Sequence, residues 1–175
     1  MKSFVGILVG LCVVIASAYG SFTIPITETG IPFTLQSLAV FVIAAFLDWR
    51  QCIICLGLYL LIGALGLPVF AEGSSGYEKI MGPSGGFLIG FLFSGTFISY
   101  TRQHIQKDNI LHWSTLMLLA TVILFLFGLS QLHVHFDFSK AIEYGLAPFW
   151  KMAILKALLA ALIVGGVYAN KLATI

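Results

Sequence analysis

Charged side chains are scarce in this chain, and that scarcity excludes most soluble proteins. Only 9% of the 175 residues are Asp, Glu, Lys or Arg, whereas 59% are hydrophobic. A soluble domain carries roughly a quarter charged residues. The net charge of +2 at pH 7 is also too small to indicate a nucleic-acid surface. The composition therefore predicts an integral membrane protein without a soluble domain, for which the lipid bilayer is the main environment.

Cysteine and histidine are too few to predict a disulfide framework or a metal centre. Cys12, Cys52 and Cys55 all lie within apolar runs, where a free cysteine behaves as a small core residue. Cys52 and Cys55 form a CxxC pair, but the second ligand pair of a zinc site is missing. His133 and His135 form an HxH pair that we place in a loop, where solvated histidines are more common than metal ligands. We predict no metal and no cofactor.

Long apolar runs predict six membrane-spanning helices. Several runs are short for a hydrocarbon core that requires about 20 residues per helix, which indicates tight packing or a locally thin bilayer. The predicted fold class is an all-α integral membrane protein, a six-transmembrane-helix bundle in a single domain, residues 1–175. The predicted spans are about 4–20, 33–47, 51–67, 86–101, 112–131 and 149–169.

The first run has two interpretations. Lys2, an apolar stretch and the small residues 16–18 together resemble a cleavable signal peptide. The same residues also fit a first membrane helix that ends at the turn of Tyr19 and Gly20. We favour the retained helix, because the even number of spans depends on it.

Basic residues orient the predicted spans. Five of the nine fall at the termini and in the second-to-third and fourth-to-fifth connections, whereas only Lys79 and Lys140 lie in the middle of the other connectors, alongside acids. The positive-inside rule then makes both termini cytoplasmic. The proline-containing, glycine-rich connectors then lie on the outer face, which predicts a binding site there. The orienting residues are Lys2, Arg50, Arg102, Lys107 and Lys171, and the prolines are Pro25, Pro32, Pro68, Pro83 and Pro148.

Residues 63–91 form a polar, turn-rich interruption between two apolar runs. In lipid, irregular backbone is tolerated only where protein or a water-filled cavity covers it, so this segment is predicted to wall a site. Gly85 and Gly86 open the fourth span with free backbone N–H groups that attract polar oxygens. Ser84 precedes them in a GxSxG pattern, which leaves an intramembrane serine hydrolase as an alternative, although no strand precedes this serine.

Lys156 is the strongest single candidate for a ligand contact. It lies about 10 Å into the last span, and an ionisable residue within a span is by default a functional hypothesis. The alternative is a lysine whose ammonium snorkels to the surface, which suits Lys151 better.

Phe33, Thr34 and Gln36 open the second span. The Gln36 amide both donates and accepts hydrogen bonds, which suits an amide or urea group. Simple capping of the helix by Thr34 remains the alternative.

Aromatic residues gather at the outer level of the predicted bundle. An interfacial aromatic belt is one explanation, and a pocket for a flat ligand is the other. The residues are Phe33, Phe70, Tyr77, Phe87, Tyr144, Phe149 and Trp150. In the first span, Gly6 and Gly10 form a small-residue pair that fits either packing within the bundle or docking of another membrane protein.

Four motifs resemble the BioY family, the biotin-binding S component of energy-coupling-factor (ECF) vitamin transporters. They occur in order as IPFTLQSLAVF (31–41), YLLIGALGLPVFA (59–71), GPSGGFLIGF (82–91) and GLAPFxxxxxxKALLAAL (145–162). The resemblance implies a six-helix bundle in a bacterial cell membrane that captures biotin from outside. It also implies that the binder either associates with a transmembrane coupling subunit and paired ATPase subunits or, as in some members, occurs without them, and that the Gly6 and Gly10 face is the docking surface for the coupling subunit.

The resemblance also implies which side chains contact biotin. Thr34 and Gln36 are expected at the ureido group, the aromatic residues around the rings, and Lys156 at the carboxylate. The family commonly carries an acid three residues before this lysine, but here the position is Ala153. Either the biotin carboxylate pairs with Lys156, or Glu72 or Glu78 does so from the loop. A transporter of another small vitamin or anion remains the alternative.

Overall fold

The computed structural model describes residues 2–22, 33–104 and 109–173, which are almost wholly helical. Pro25, Pro32 and Lys107, used above to orient the chain, lie outside the described residues. The longer helices are α1 (Lys2–Tyr19), α2 (Gln36–Phe46), α3 (Trp49–Ala64), α5 (Gly85–His104), α6 (Ile110–His135) and α8 (Trp150–Ala173). The shorter elements are β1 (Ser21–Phe22), β2 (Phe33–Thr34), α4 (Tyr77–Met81) and α7 (Phe138–Ala141).

The six predicted spans fall on α1, α2, α3, α5, α6 and α8. The second begins later than predicted, because Phe33 and Thr34 pair as β2 with β1 in an antiparallel ladder before α2 starts. The third ends earlier, because Gly66 has a φ of 100° that stops the helix. His133 and His135 are on the last turn of α6, so their placement in a loop was wrong. α6 is apolar along nearly its whole length, and the helix continues through both histidines.

Side-chain caps fix where two helices begin. The Asp48 carboxylate accepts from the backbone N–H of Gln51, while the Gln51 side chain accepts from the backbone N–H of Asp48. This capping box satisfies two N–H groups that the start of α3 would otherwise leave without partners. Asn109 caps α6 by accepting from the backbone N–H of His112.

The core lies between α5 and the helices around it. Gly95 lets α5 approach α3, since a Cβ there would lie 2.7 Å from a Leu56 methyl carbon. Many large apolar side chains on the outer faces are exposed, including Leu119, Val122, Leu126 and Leu162. Such a surface suits lipid rather than water. α6 and residues Trp150–Ala169 of α8 are long and apolar enough to cross a membrane.

Gly6 and Gly10 lie against this chain's own side chains. A Cβ at Gly10 would be 3.1 Å from the Cys55 sulfur, and one at Gly6 would be 3.3 Å from Leu47. These contacts support packing within the bundle. Docking of another protein on the two glycines stays a prediction.

One end of the bundle is fastened by hydrogen bonds to the last carbonyls of α2. The Ser99 hydroxyl donates to the Ala44 carbonyl at 2.7 Å, and the Tyr168 hydroxyl donates to the Ala45 carbonyl at 3.1 Å. Arg102 donates to the Tyr168 hydroxyl. A helix end leaves its final carbonyls unpaired, so α5 and α8 complete α2 there.

Candidate ligand-binding site

A cavity lies at the opposite end of the bundle, between the first turns of α2 and α8 and the connection from α3 to α5. The centres of water molecules can occupy about 90 Å³ of it, several times the volume needed for one water. Its lining mixes phenyl rings with a few polar groups, as is usual for small-molecule sites. The lining residues are Thr34, Gln36, Ser37, Phe70, Ala71, Lys79, Ser84, Phe87, Leu88, Phe91, Leu124, Phe125, Phe149, Ala153 and Lys156.

Lys156 brings an ammonium group to this cavity from the second turn of α8. Its Nζ donates to the backbone carbonyl of Thr34 at 3.1 Å, which holds the side chain across the gap between α8 and β2. No described carboxylate forms an ion pair with it, so one neutral acceptor offsets the loss of water around the charge. Lys151 is exposed and lies 5.5 Å from the Trp150 ring centre, as a snorkelling lysine would.

Gln36 is the buried amide of the cavity, with 2% of its surface exposed. Its Nε2 donates to the hydroxyl of Tyr59, which is itself fully buried. This bond leaves the Gln36 carbonyl oxygen and one N–H without a described partner, so the amide retains both an acceptor and a donor. The Gln36 backbone N–H also lies 3.4 Å from Thr34 Oγ1, a long contact typical of a weak cap.

Phe70 connects the buried amide to the connection between α3 and α5. Its ring meets Tyr59 edge to face, with centroids 5.4 Å apart. It sits directly on Gly63 of α3, where any Cβ would overlap the ring. The glycine is therefore required by the close approach of an aromatic side chain.

The connection from Leu65 to Ser84, here called the lid, is fastened on both sides. The backbone N–H of Gly76 donates to the Gly63 carbonyl at 2.7 Å. The Gln131 amide of α6 donates to the carbonyls of Ile80 and Gly82, each at 2.7 Å. These bonds tie parts of the irregular backbone of the lid to α3 and α6.

The predicted glycines at the start of α5 pack against other helices rather than line the cavity, Gly85 mainly against α4 and Gly86 against α6. A Cβ at Gly85 would overlap the Ile80 carbonyl, and a Cβ at Gly86 would overlap the Phe127 carbonyl. Ser84, just before them, does line the cavity.

Aromatic rings close the cavity where α8 begins. Phe33 stacks on Phe149 with centroids 4.3 Å apart, and Phe149 lines the cavity. Phe87 meets Phe125 edge to face at 6.1 Å, and it packs on Gly128, where a Cβ would overlap its ring.

The cavity brings five of the predicted contact residues together, namely Thr34, Gln36, Ser84, Phe149 and Lys156. Phe33 stacks on Phe149, Gly85 and Gly86 pack on α4 and α6, and Glu72 and Tyr77 are exposed on the lid. Within the described residues, no group of three or more His, Cys, Asp or Glu side chains could hold a metal.

Sequence reasoning missed three polar side chains here, namely Lys79 and Ser37 of the lining and Gln131, which bonds to the lid. Lys79 follows Glu78 in a charged pair of the lid, and the sequence gives no reason for its side chain to turn inward. Gln131 looks like an isolated polar residue within an apolar helix, and such a residue within a span signals an internal partner. That signal was present in the sequence.

A family model and curated relatives relate this chain to biotin transporters, and a solved structure shares its fold. The family model described as the BioY family matches residues 1–172. The Lactococcus lactis subsp. cremoris protein named biotin transporter BioY2 is 36% identical over 157 residues, covering 87% of this chain and 83% of its own length. The Thermotoga maritima biotin transporter BioY is 34% identical over 135 residues, covering 76% of this chain and 78% of its own.

A solved structure has the same fold. It is the 2.1 Å crystal structure of the S-component for biotin from an ECF-type ABC transporter. The TM-score is 0.86 at 22% identity, and the match covers 96% of this chain and 91% of that one. The overall arrangement of helices described above is therefore shared with that membrane protein.

Proposed function

Since this chain belongs to the BioY family, we propose that it binds biotin at the outer face of the membrane and delivers it inward. The observation that carries the proposal is the cavity, which presents a buried amide, an ammonium and phenyl rings in one space. Biotin has a matching urea, carboxylate and apolar ring system. The Gln36 amide faces the ureido group, the phenyl rings cover the bicycle, and Lys156 holds the carboxylate.

The direct test is equilibrium binding to the purified protein in detergent or nanodiscs. Biotin is titrated beside thiamine, riboflavin and a fatty acid as controls. We expect saturable binding of biotin at one site per chain, with no competition by the controls. Absence of biotin binding by folded protein would overturn the proposal.

Membrane topology is part of the same proposal. We infer that α1, α2, α3, α5, α6 and α8 each cross the bilayer of a bacterial cell, with both termini in the cytoplasm. The exposed apolar faces of these helices support this, as does the cavity at the end away from Arg102 and Tyr168. Short spans such as α2 are then accommodated by local thinning of the bilayer.

Delivery inward against a concentration gradient requires an energy source, which we assign to a partner. The solved structure with this fold is described as part of an ECF-type ABC transporter. We propose that this chain likewise associates with a transmembrane coupling subunit and ATPase subunits. Copurification of these subunits with the tagged chain tests the association.

Ala153 favours a second candidate, a transporter of another small vitamin or anion. Ala153 lines the cavity beside Lys156, at the position where the family commonly has an acid. Competitive binding in the titration above distinguishes the two candidates. The hydrolase alternative on Ser84 is not retained, because the family consists of transporter components and the chain is not an enzyme.

A further inference from the structure

The cavity contains two lysines and no acid among its lining residues. Lys156 reaches it from α8 and Lys79 from the lid, whereas Asp and Glu are absent from the described lining. The Lys79 side chain forms no hydrogen bond or ion pair with another described residue, whereas its backbone N–H donates to the Gly76 carbonyl at 3.2 Å. Two ammonium groups beside a largely apolar space repel each other and lose hydration, so an anion between them lowers the free energy of both.

Hydrogen bonds hold the backbone on both sides of Lys79, so the structure of the lid sets the direction in which this residue leaves α4. Lys79 lies in the middle of α4, between two fastened points. On one side Gly76 bonds to Gly63, and on the other the Ile80 carbonyl accepts from Gln131. Because this backbone is already ordered, contact with a ligand restricts only the side chain of Lys79 and not the lid backbone.

The acids nearest in sequence do not face the cavity. Glu78 is adjacent to Lys79 on α4, and neighbouring residues on a helix point in different directions. Glu78 and Glu72 are both exposed and are not part of the lining. Ala153, one turn before Lys156 on the same face of α8, adds no charge.

We propose that Lys79 is a second cationic contact for the ligand's carboxylate, which lies between the lid and α8. This inference rests on the proposed function and adds to it a determinant of specificity. With one ammonium on each side, the site selects for a free carboxylate over an amide or ester. The ligand class is a monoanion with a ring system and a carboxylate-bearing chain.

The test compares biotin with biotinamide, in which the carboxylate is replaced by a neutral carboxamide. Dissociation constants of both are measured for the wild type, Lys79→Met, Lys156→Met and the double variant. Lys151→Met is the matched control, since Lys151 is an exposed lysine outside the lining. Each charge-assisted hydrogen bond corresponds to about a 10- to 100-fold change in affinity.

We expect Lys79→Met to weaken biotin at least about 10-fold and to leave biotinamide nearly unchanged, so the preference for the carboxylate falls. Lys79→Arg should retain most of the preference, and it also serves if the methionine variant proves unstable. Failure of biotin to bind the wild type would reject the proposed function itself. Normal biotin binding with an unchanged biotin-to-biotinamide ratio in Lys79→Met would reject only the role of Lys79.

Discussion

Lys156 is the residue on which most of the ligand chemistry depends. Its ammonium has one described partner, the neutral carbonyl of Thr34, at 3.1 Å. A carbonyl alone compensates poorly for a charge taken out of water. The ligand's carboxylate is a better partner, because a hydrogen bond between two charged groups is shorter and stronger than one to a neutral acceptor.

Replacement of Lys156 by methionine retains the apolar stem and removes the charge. We expect the biotin dissociation constant to rise about 10- to 100-fold, which corresponds to the 1.5–3 kcal/mol of a charge-assisted hydrogen bond. Isothermal titration of the purified variant measures the change. Lys151→Met, on the same helix but exposed, should bind biotin as the wild type does. Equal loss in both variants would contradict a specific role for Lys156.

Gln36 and Tyr59 form a buried pair whose members can be separated by mutation. Gln36→Leu leaves the Tyr59 hydroxyl buried without its partner, and Tyr59→Phe leaves one Gln36 N–H in the same state. Each unpaired buried group costs about 1–3 kcal/mol, so both variants should unfold at lower temperature. Only Gln36→Leu should also lose biotin affinity substantially, because only Gln36 lines the cavity. Thermal unfolding measures the stability of both variants, and titration measures their biotin affinity. If the two variants bind biotin equally well, the Gln36 amide is not a ligand contact.

At the scale of the elements, Gly63 of α3 determines where the lid lies. Phe70 occupies the space that a side chain at Gly63 would need, and the Gly63 carbonyl receives the Gly76 N–H. One glycine thus sets both the approach of the aromatic ring and the attachment of the lid. The cavity wall depends on this contact, since Phe70 and Ala71 both belong to the lining.

Gly63→Ala should therefore displace Phe70 and the lid together. We expect a loss of about 1–3 kcal/mol in stability, which is typical of overpacking, and a clear loss of biotin affinity. Gly57→Ala is the matched control on the same helix, because a Cβ there meets nothing within 4 Å. It should be neutral or slightly stabilising, since alanine favours a helix interior more than glycine does. Retained biotin binding by Gly63→Ala would show that the lid is not part of the site.

The elements also show what the sequence could and could not predict. Apolar runs locate the long helices, because burial in lipid demands about 20 apolar residues whatever the fold. Gln36 and Lys156 were identifiable because polar groups within apolar helices require internal partners. Lys79 was not, since its direction depends on bonds from Gly63 and Gln131, which are distant in sequence. The packing of Phe70 on Gly63 is equally non-local.

One end of the molecule contains the ligand cavity, and the other end holds the helices together. The cavity and lid occupy one end, whereas Ser99, Arg102 and Tyr168 tie the helices together at the other. Tyr168 stacks on Trp113 as well, with centroids 5.3 Å apart. Stability and ligand affinity should therefore respond separately to mutations at the two ends.

Tyr168→Phe tests this separation. The change keeps the stacked ring and removes the hydroxyl that donates to Ala45 and accepts from Arg102. We expect a loss of about 1–3 kcal/mol in stability, because buried polar groups lose their partner. The biotin dissociation constant should stay within about twofold, since mutations at distant, independent sites act additively. A large change in affinity would instead show that the two ends are coupled.

The positions of the cavity and of the basic residues predict how the whole molecule is oriented in the membrane. The cavity should face the outside, and the turn after α5 should face the cytoplasm, by the positive-inside rule. Single cysteines placed by Glu78→Cys and His104→Cys test this, since both positions are exposed. The background carries Cys12→Ser, Cys52→Ala and Cys55→Ala, which remove the native thiols. A membrane-impermeant maleimide should label the cysteine at position 78 in intact cells and the one at 104 only after permeabilisation. Both should react in detergent, and labelling of position 104 in intact cells would reverse the proposed topology.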